Sequence, residues 1–159
     1  MDDDAPPLRP AAEFTAAGRR IRDAVRARLA PVLPPHELVL TGGSSVPGAL
    51  TKGDIDLHLR VAPGDFAAAV ATLCGRYPVV HPEIWQDTLA TFAIEAELPT
   101  GLAVTPIGSA HDVRFRRTWA LLAADPALLA AYNAMKAAGG GDYERRKSAF
   151  FDRLLAGHG

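Results

Sequence analysis

Residues 42–56 read GGSSVPGALTKGDID, a Gly-Gly-Ser turn followed at short range by two aspartates around one isoleucine. On an extended strand successive side chains alternate faces, so Asp54 and Asp56 project to one side while Ile55 enters the core. Two carboxylates on one strand face raise each other's pKa unless a cation lies between them. Hard oxygen donors of this kind suit Mg²⁺, or Mn²⁺ in its place. Upstream, Gly42 and Gly43 let the backbone approach an anion closely, and Ser44 and Ser45 add hydroxyls. A phosphate cradle beside a metal pair points to a nucleotide. The plainer alternatives are a ligand-free Pro47-Gly48 turn, Asp54 as a strand cap and Asp56 in a surface ion pair. The combined spacing of turn and carboxylates favours the metal reading.

Working outward, the chain divides into alternating helical and extended segments. The first ten residues, MDDDAPPLRP, are charged, proline-bearing and aperiodic, and are expected to form a disordered leader to a single domain over 11–157. Phe14, Ile21, Val25 and Leu29 share one helical face, which predicts a helix from about Ala11 to Leu33, stopped by Pro34-Pro35. Its arginines lie largely on the solvent side. His36–Thr41 reads as a strand delivering the chain to Gly42, and a second strand is expected over Asp54–Val61. There Ile55, Leu57, Leu59 and Val61 are buried, with Asp54, Asp56, His58 and Arg60 opposite. Pro63-Gly64-Asp65 opens a helix ending near Gly75. Thr88–Leu98 and Leu102–Ile107 are predicted strands joined through Pro99-Thr100-Gly101. The last third is helical, with a start at Asp125-Pro126, a break at Gly139–Gly141 and a final helix from Asp142 to Leu155. The pattern is α+β, a small mixed sheet flanked by helices with a C-terminal helical segment.

Composition narrows the partners. At 159 residues, 48% apolar and 22% charged, the chain has the profile of an ordinary globular domain. Its net charge of −1 gives no electrostatic claim on long nucleic acid. The lone Cys74 forms no internal disulfide, and no apolar run reaches the length of a membrane span. A cytoplasmic setting without a membrane partner is expected. Lys52, just before the aspartates, is placed to meet a β- or γ-phosphate, or else is a solvated loop lysine. His58 lies two residues beyond Asp56 on the same face, as a substrate contact or as a satisfied strand residue.

The segments GGSSVPGALTKGDIDL (42–57), DPALLAAYNAMK (125–136) and YERRKSAFFDRLL (143–155) together resemble the nucleotidyltransferase superfamily of DNA polymerase β and, within it, the GrpB family. With the order of elements between them, the resemblance covers roughly residues 36–156. Many GrpB-like sequences have an aliphatic residue where Asp54 stands, and a polar His or Gln near the position of Ala103. The resemblance implies a nucleotidyltransferase fold in which Asp54 and Asp56 hold Mg²⁺ on a nucleoside triphosphate while a third acid completes the site. Glu95, or Glu97 on the same predicted strand face, is the candidate for that acid. It also implies that the last two helices close over the sheet and present tyrosines and lysines to the phosphates. The plainer reading is that the tyrosines pack, which is expected for Tyr132, while Lys136 and Lys147 are kept as phosphate contacts. The implied activity is transfer of a nucleoside monophosphate, AMP from ATP, to an unknown small-molecule or protein acceptor. The alternative is a catalytically degenerate nucleotide-binding or protein-interaction module of the same fold.

Overall fold

The computed structural model describes residues 6–157. Four strands form the main sheet: β2 (His36–Thr41), β4 (Ile55–Val61), β5 (Ala90–Ile94) and β6 (Thr100–Pro106), in the order β2-β4-β6-β5. β4 pairs antiparallel with β2 and parallel with β6, and β5 closes the sheet antiparallel to β6. The fold is therefore α+β with a mixed sheet. A second, two-stranded ladder joins β1 (Arg9–Pro10) to β3 (Leu50–Thr51). The expected leader thus has an ordered end: β1 is tied to the loop after the Gly-Gly turn, and Ala11 N–H donates to Ala49 O at 2.8 Å. Residues 1–5 of that leader lie outside the described residues.

Helices cover both faces of the sheet. On one side α1 (Thr15–Leu29) and α2 (Phe66–Cys74) bury Ile21, Val25, Leu29, Ala69 and Leu73 against Leu38, Ile55, Leu57, Leu59, Phe92 and Leu102. The predicted first helix is a 3₁₀ turn at Ala11–Phe14 followed by α1. It stops at Leu29, where the N–H groups of Val32 and Leu33 fold back onto the Leu29 carbonyl before Pro34. On the other side α3 (Ala110–Ala124), α4 (Pro126–Ala138) and α5 (Tyr143–Gly157) build a second core from Leu122, Tyr132, Phe151 and Leu154, joined by Val46 and Ala49 of the turn loop. Asp125 caps α4 as expected, its carboxylate accepting from Ala127 N–H at 2.9 Å and Leu128 N–H at 3.3 Å. No helix among the described residues is long and apolar enough to cross a membrane.

Two sequence expectations are corrected here. β5 ends at Ile94 rather than at Leu98, because Ile94 already pairs with Thr100 and residues 95–99 form the connection to β6. β6 accordingly starts at Thr100, so Thr100 and Gly101 are strand residues rather than part of the turn. Glu97 in the connection meets Arg20 of α1 in a two-pronged pair, both contacts 3.1 Å. The polar face of β4 is also covered beyond Asp56, and His58 is a satisfied strand residue rather than a substrate contact. His58 is 1% and Arg60 7% exposed, because α3 lies over them.

The buried polar residues on that face are fully partnered. Arg60 donates Nε–H to Asp112 Oδ1 at 2.6 Å and a second N–H to Oδ2 at 3.0 Å, and its remaining arm reaches Glu37 at 2.7 Å. Burial works to push the Asp112 carboxyl up, but the Arg60 bonds and the Gly108 N–H outweigh it and hold the group at about 2. Thr105 Oγ1 donates to Asp112 and so accepts from His58 Nε2–H at 2.8 Å. Burial holds the His58 imidazole down at about 4, against the opposing pull of Asp112, so it is neutral at pH 7. Removing one partner from this cluster strands a buried charge. Asp112→Ala should therefore cost about 3–5 kcal/mol in urea unfolding, while an Arg60→Met/Asp112→Leu double variant should recover most of that loss. A loss under about 1 kcal/mol for Asp112→Ala would show that Arg60 finds another partner.

Candidate functional site

The sheet's helix-covered face opens at one end into a cleft of about 660 Å³, within the range of small-molecule sites. Its polar end is built by the motif that opened the sequence. Thr41 delivers the chain to Gly42 at φ +76°, and a 3₁₀ turn over Gly43–Ser45 follows. Gly42 is required twice. Its φ suits glycine, and a Cβ there would sit 2.2 Å from Asp56 Oδ2, inside the carboxylate. A Cβ at Gly43 would lie 3.0 Å from the Tyr132 hydroxyl and 3.1 Å from Lys136 Nζ. Backbone, carboxylate and ammonium are thus packed without an intervening side chain.

Asp54 and Asp56 both line the cleft. Asp54 is exposed, just ahead of β4, while Asp56 is half-buried within it. Burial, aided by the Asp54 charge and opposed by Lys147 and Lys136, pushes the Asp56 carboxyl up to about 6. Lys52, Lys136 and Lys147 line the same cleft, from the loop, α4 and α5. Burial lowers Lys136, and the charges of Lys147 and Lys52 act in the same direction. Lys136 Nζ–H donates to the Tyr132 hydroxyl at 3.2 Å, and its ammonium lies 5.4 Å from the Tyr132 ring centre. Tyr132 is 1% exposed among Trp119, Phe150 and Phe151, and packs as expected.

The structure gathers Gly42, Gly43, Lys52, Asp54, Asp56, Lys136 and Lys147 into one cleft and leaves three expected residues out of its lining. Ser45 Oγ–H donates to the Gly42 carbonyl at 2.6 Å, so this hydroxyl closes the turn instead of facing a ligand. Ser44 is buried within the same turn. Glu95 lies past the end of β5, where strand alternation has ceased, and lines a separate shallow groove against α1 with Arg20 and Arg28. Its partner candidate Glu97 is held by Arg20. On the sheet face itself, Asp56 stands opposite Gly101, and Gly101 opposite Ala93. The next rung is His58, Ala103 and Thr91. Among the described residues no group of three His, Cys, Asp or Glu side chains converges as a metal-ligand set.

One positioning residue escaped the sequence reading. Asn133 on α4 accepts from Leu50 N–H at 2.9 Å and donates to the Gly48 carbonyl at 2.9 Å, pinning α4 to the loop between turn and aspartates. Two arginines of α3 differ in their setting. Arg114 lines the cleft and pairs with Asp152 at 2.7 Å, while Arg116 is exposed.

This sheet, with a Gly-Gly turn before paired aspartates and a helical cover, is the nucleotidyltransferase fold. The chain is GrpB-like in architecture: GrpB from Enterococcus faecalis superposes with a TM-score of 0.67 at 14% identity, over 89% of both chains. A Cid1 structure concerned with RNA terminal uridylyl transferase activity gives 0.54 at 15% identity, and a MgGTP-bound Cid1 poly(U) polymerase 0.51 at 12%. These matches cover 80% and 77% of this chain but 40% and 41% of the Cid1 chains. No family model and no curated protein matches the sequence.

The raised Asp56 carboxyl carries a stability cost. Ionised Asp56 is disfavoured in the fold, so the cost is fully present above about pH 6, fades as pH falls towards the ordinary value of 3.8, and is absent below it. Asp56→Asn should stabilise the metal-free protein by about 1–3 kcal/mol at pH 8 and by nothing at pH 3.5. Thermal unfolding across that range checks it, and a destabilised variant at pH 8 would contradict it.

Proposed function

We propose that the cleft binds a nucleoside triphosphate with Mg²⁺ and transfers its nucleoside monophosphate, AMP from ATP, to a small-molecule or protein acceptor. The observation that carries this reading is the meeting of Asp54 and Asp56 with the Gly42–Gly43 turn and three lysines in one cleft. The donor set fits the metal: Mg²⁺ takes one or two carboxylates and completes its shell with water and substrate phosphates, and a carboxyl pushed up beside a second carboxylate regains its charge when a cation binds. Bound there, the ion would stabilise charge on the attacking and leaving oxygens. Asp54 and Asp56 would hold it. Lys52, Lys136 and Lys147 place positive charge where a triphosphate tail can lie, and the bare backbone at Gly42 and Gly43 allows phosphate oxygens to approach. The fold likeness to a MgGTP-bound Cid1 is in keeping with this assignment.

Loss of Lys136 or Lys147 to alanine should weaken Mg-ATP binding by about 10- to 100-fold, as charge-assisted contacts of about 1.5–3 kcal/mol disappear. Isothermal calorimetry reads this directly. With α-labelled ATP and candidate acceptors, label transfer and pyrophosphate release should depend on both aspartates. Equal transfer by an Asp54→Ala/Asp56→Ala variant would sink the proposal. The rival reading, a nucleotide-binding module without turnover, draws on Gly101 and Ala93 standing beside Asp56. It predicts Mg-ATP binding with no pyrophosphate release under any acceptor.

A further inference from the structure

The sheet face beside Asp56 is built for space rather than for proton transfer. Across β6 and β5 its side chains are Gly101 and Ala93 on one rung, Ala103 and Thr91 on the next, and all four line the cleft. Gly101 sits against the aspartate, since a Cβ added there would be 3.6 Å from Asp56 Oδ1. The Thr91 hydroxyl is already occupied, donating to the Val80 carbonyl at 2.5 Å and accepting from Trp85 Nε1–H at 2.9 Å. With strands about 4.8 Å apart, this floor runs on the order of 10 Å from Asp56 to the outer strand. Phe115 and Arg114 of α3 line the same cleft, as do Lys136 of α4 and Lys147 of α5.

The remaining titratable groups along the cleft do not supply a base over this floor. Glu144 is on the first turn of α5, beside Tyr143 and on the lysine side. His81 is at the far rim, 70% exposed and 3.2 Å from Glu83. His58, beside Ala103 on the same sheet face, is spent on Thr105 and packed edge-on to Phe115. The available charge is instead positive: the Arg114 guanidinium lines the cleft, held by an exposed Asp152 that an incoming anion can replace.

An alcohol attacking phosphorus must lose a proton, and a positioned base contributes about 10²–10⁴-fold to such a step. A carboxylate has no proton to lose at neutral pH, and a phosphate, with its second pKa at about 6 to 7, already carries at least one ionised oxygen that can attack. From the small-residue floor and the cationic rim, we infer that the acceptor for this site is a preformed oxyanion, a phosphate or carboxylate group lying over Gly101, Ala93 and Ala103 with its charge towards Arg114. The inference rests on the transfer reading above. The acceptor oxygen forms a bond to the α-phosphorus, the bond from that phosphorus to the α,β-bridging oxygen breaks, and pyrophosphate leaves with the electron pair. No proton moves, and the product is a phosphoanhydride or an acyl phosphate anhydride.

The test gives the full chain Mg²⁺, α-labelled ATP and matched acceptors: methyl phosphate and inorganic phosphate, acetate and benzoate, and glycerol and benzyl alcohol. Label should pass to the phosphates or to the carboxylates at least about tenfold faster than to the alcohols, and the two anion arms identify which oxyanion is used. The rate should stay level from about pH 8 to 9, where the phosphate acceptors are essentially dianions, and survive in Glu144→Gln and His81→Asn variants. Arg114→Ala should raise the KM for the anion with little change in kcat, with partial recovery in Arg114→Lys. Faster transfer to an alcohol, a rate climbing with pH, or loss of transfer in either base variant overturns the oxyanion assignment and leaves the transferase reading standing. Binding of Mg-ATP with no pyrophosphate release to any acceptor overturns the transferase reading, and this one with it.

Discussion

The two-pronged bond between Arg60 and Asp112 fixes how the sheet and the helical layer meet. It joins the C-terminal end of β4, the strand carrying Asp56, to the first turn of α3, the helix carrying Arg114, Phe115 and Trp119 to the cleft. Buried ion pairs are seldom a net source of stability compared with apolar packing of the same shape. What this one supplies is register. The same carboxylate takes the Gly108 N–H at 2.8 Å, and the helix start is capped in turn by Ser109. The angle at which α3 leaves the sheet is therefore specified by directional bonds, where apolar contacts alone would allow it to slide.

Around that joint the site is electrostatically arranged in opposition. Two carboxylates and three ammonium groups share one cleft, and each side shifts the other: the lysines pull Asp56 down against its burial, and the aspartates pull Lys136 up against its own. Neither set is neutralised by close ion pairing with the other. The cleft thus keeps charges of both signs open to a ligand that itself carries both.

Much of this could be read before any coordinates. Alternation along 54–61 placed Asp56 opposite Ile55 and Leu57, and Asp125-Pro126 announced α4, because both signals are local. The readings that failed depended on partners that no local pattern records. Nothing within residues 88–98 records that Ile94 will pair with Thr100 and leave 95–99 as the connection, so alternation read along this stretch runs past Ile94 to Glu95. Ser45 has the composition of a ligand donor, yet its hydroxyl is spent on its own turn. Asn133 was passed over because both of its bonds go to backbone groups more than 80 residues away, and backbone atoms leave no trace in a sequence pattern. His58 and Arg60 were placed on the correct face, but that face is covered, and the helix that covers it meets them through Asp112.

The Asn133 contact has a consequence for how this chain tolerates change. Because it grips the carbonyl of Gly48 and the amide of Leu50, the docking of α4 makes no demand on the side chains of the gripped residues through those bonds. The exposed positions of the loop can change while the lysine on α4 stays in place, provided position 133 keeps both a donor and an acceptor. Val46 and Ala49 remain tied to the core they join, and Gly48 to its φ of +90°. Part of the constraint on a stretch of chain is thereby moved to a single residue in a different part of it. Among divergent copies of such a protein, variability at those exposed positions and fixity at 133 would be two expressions of the same bond pair.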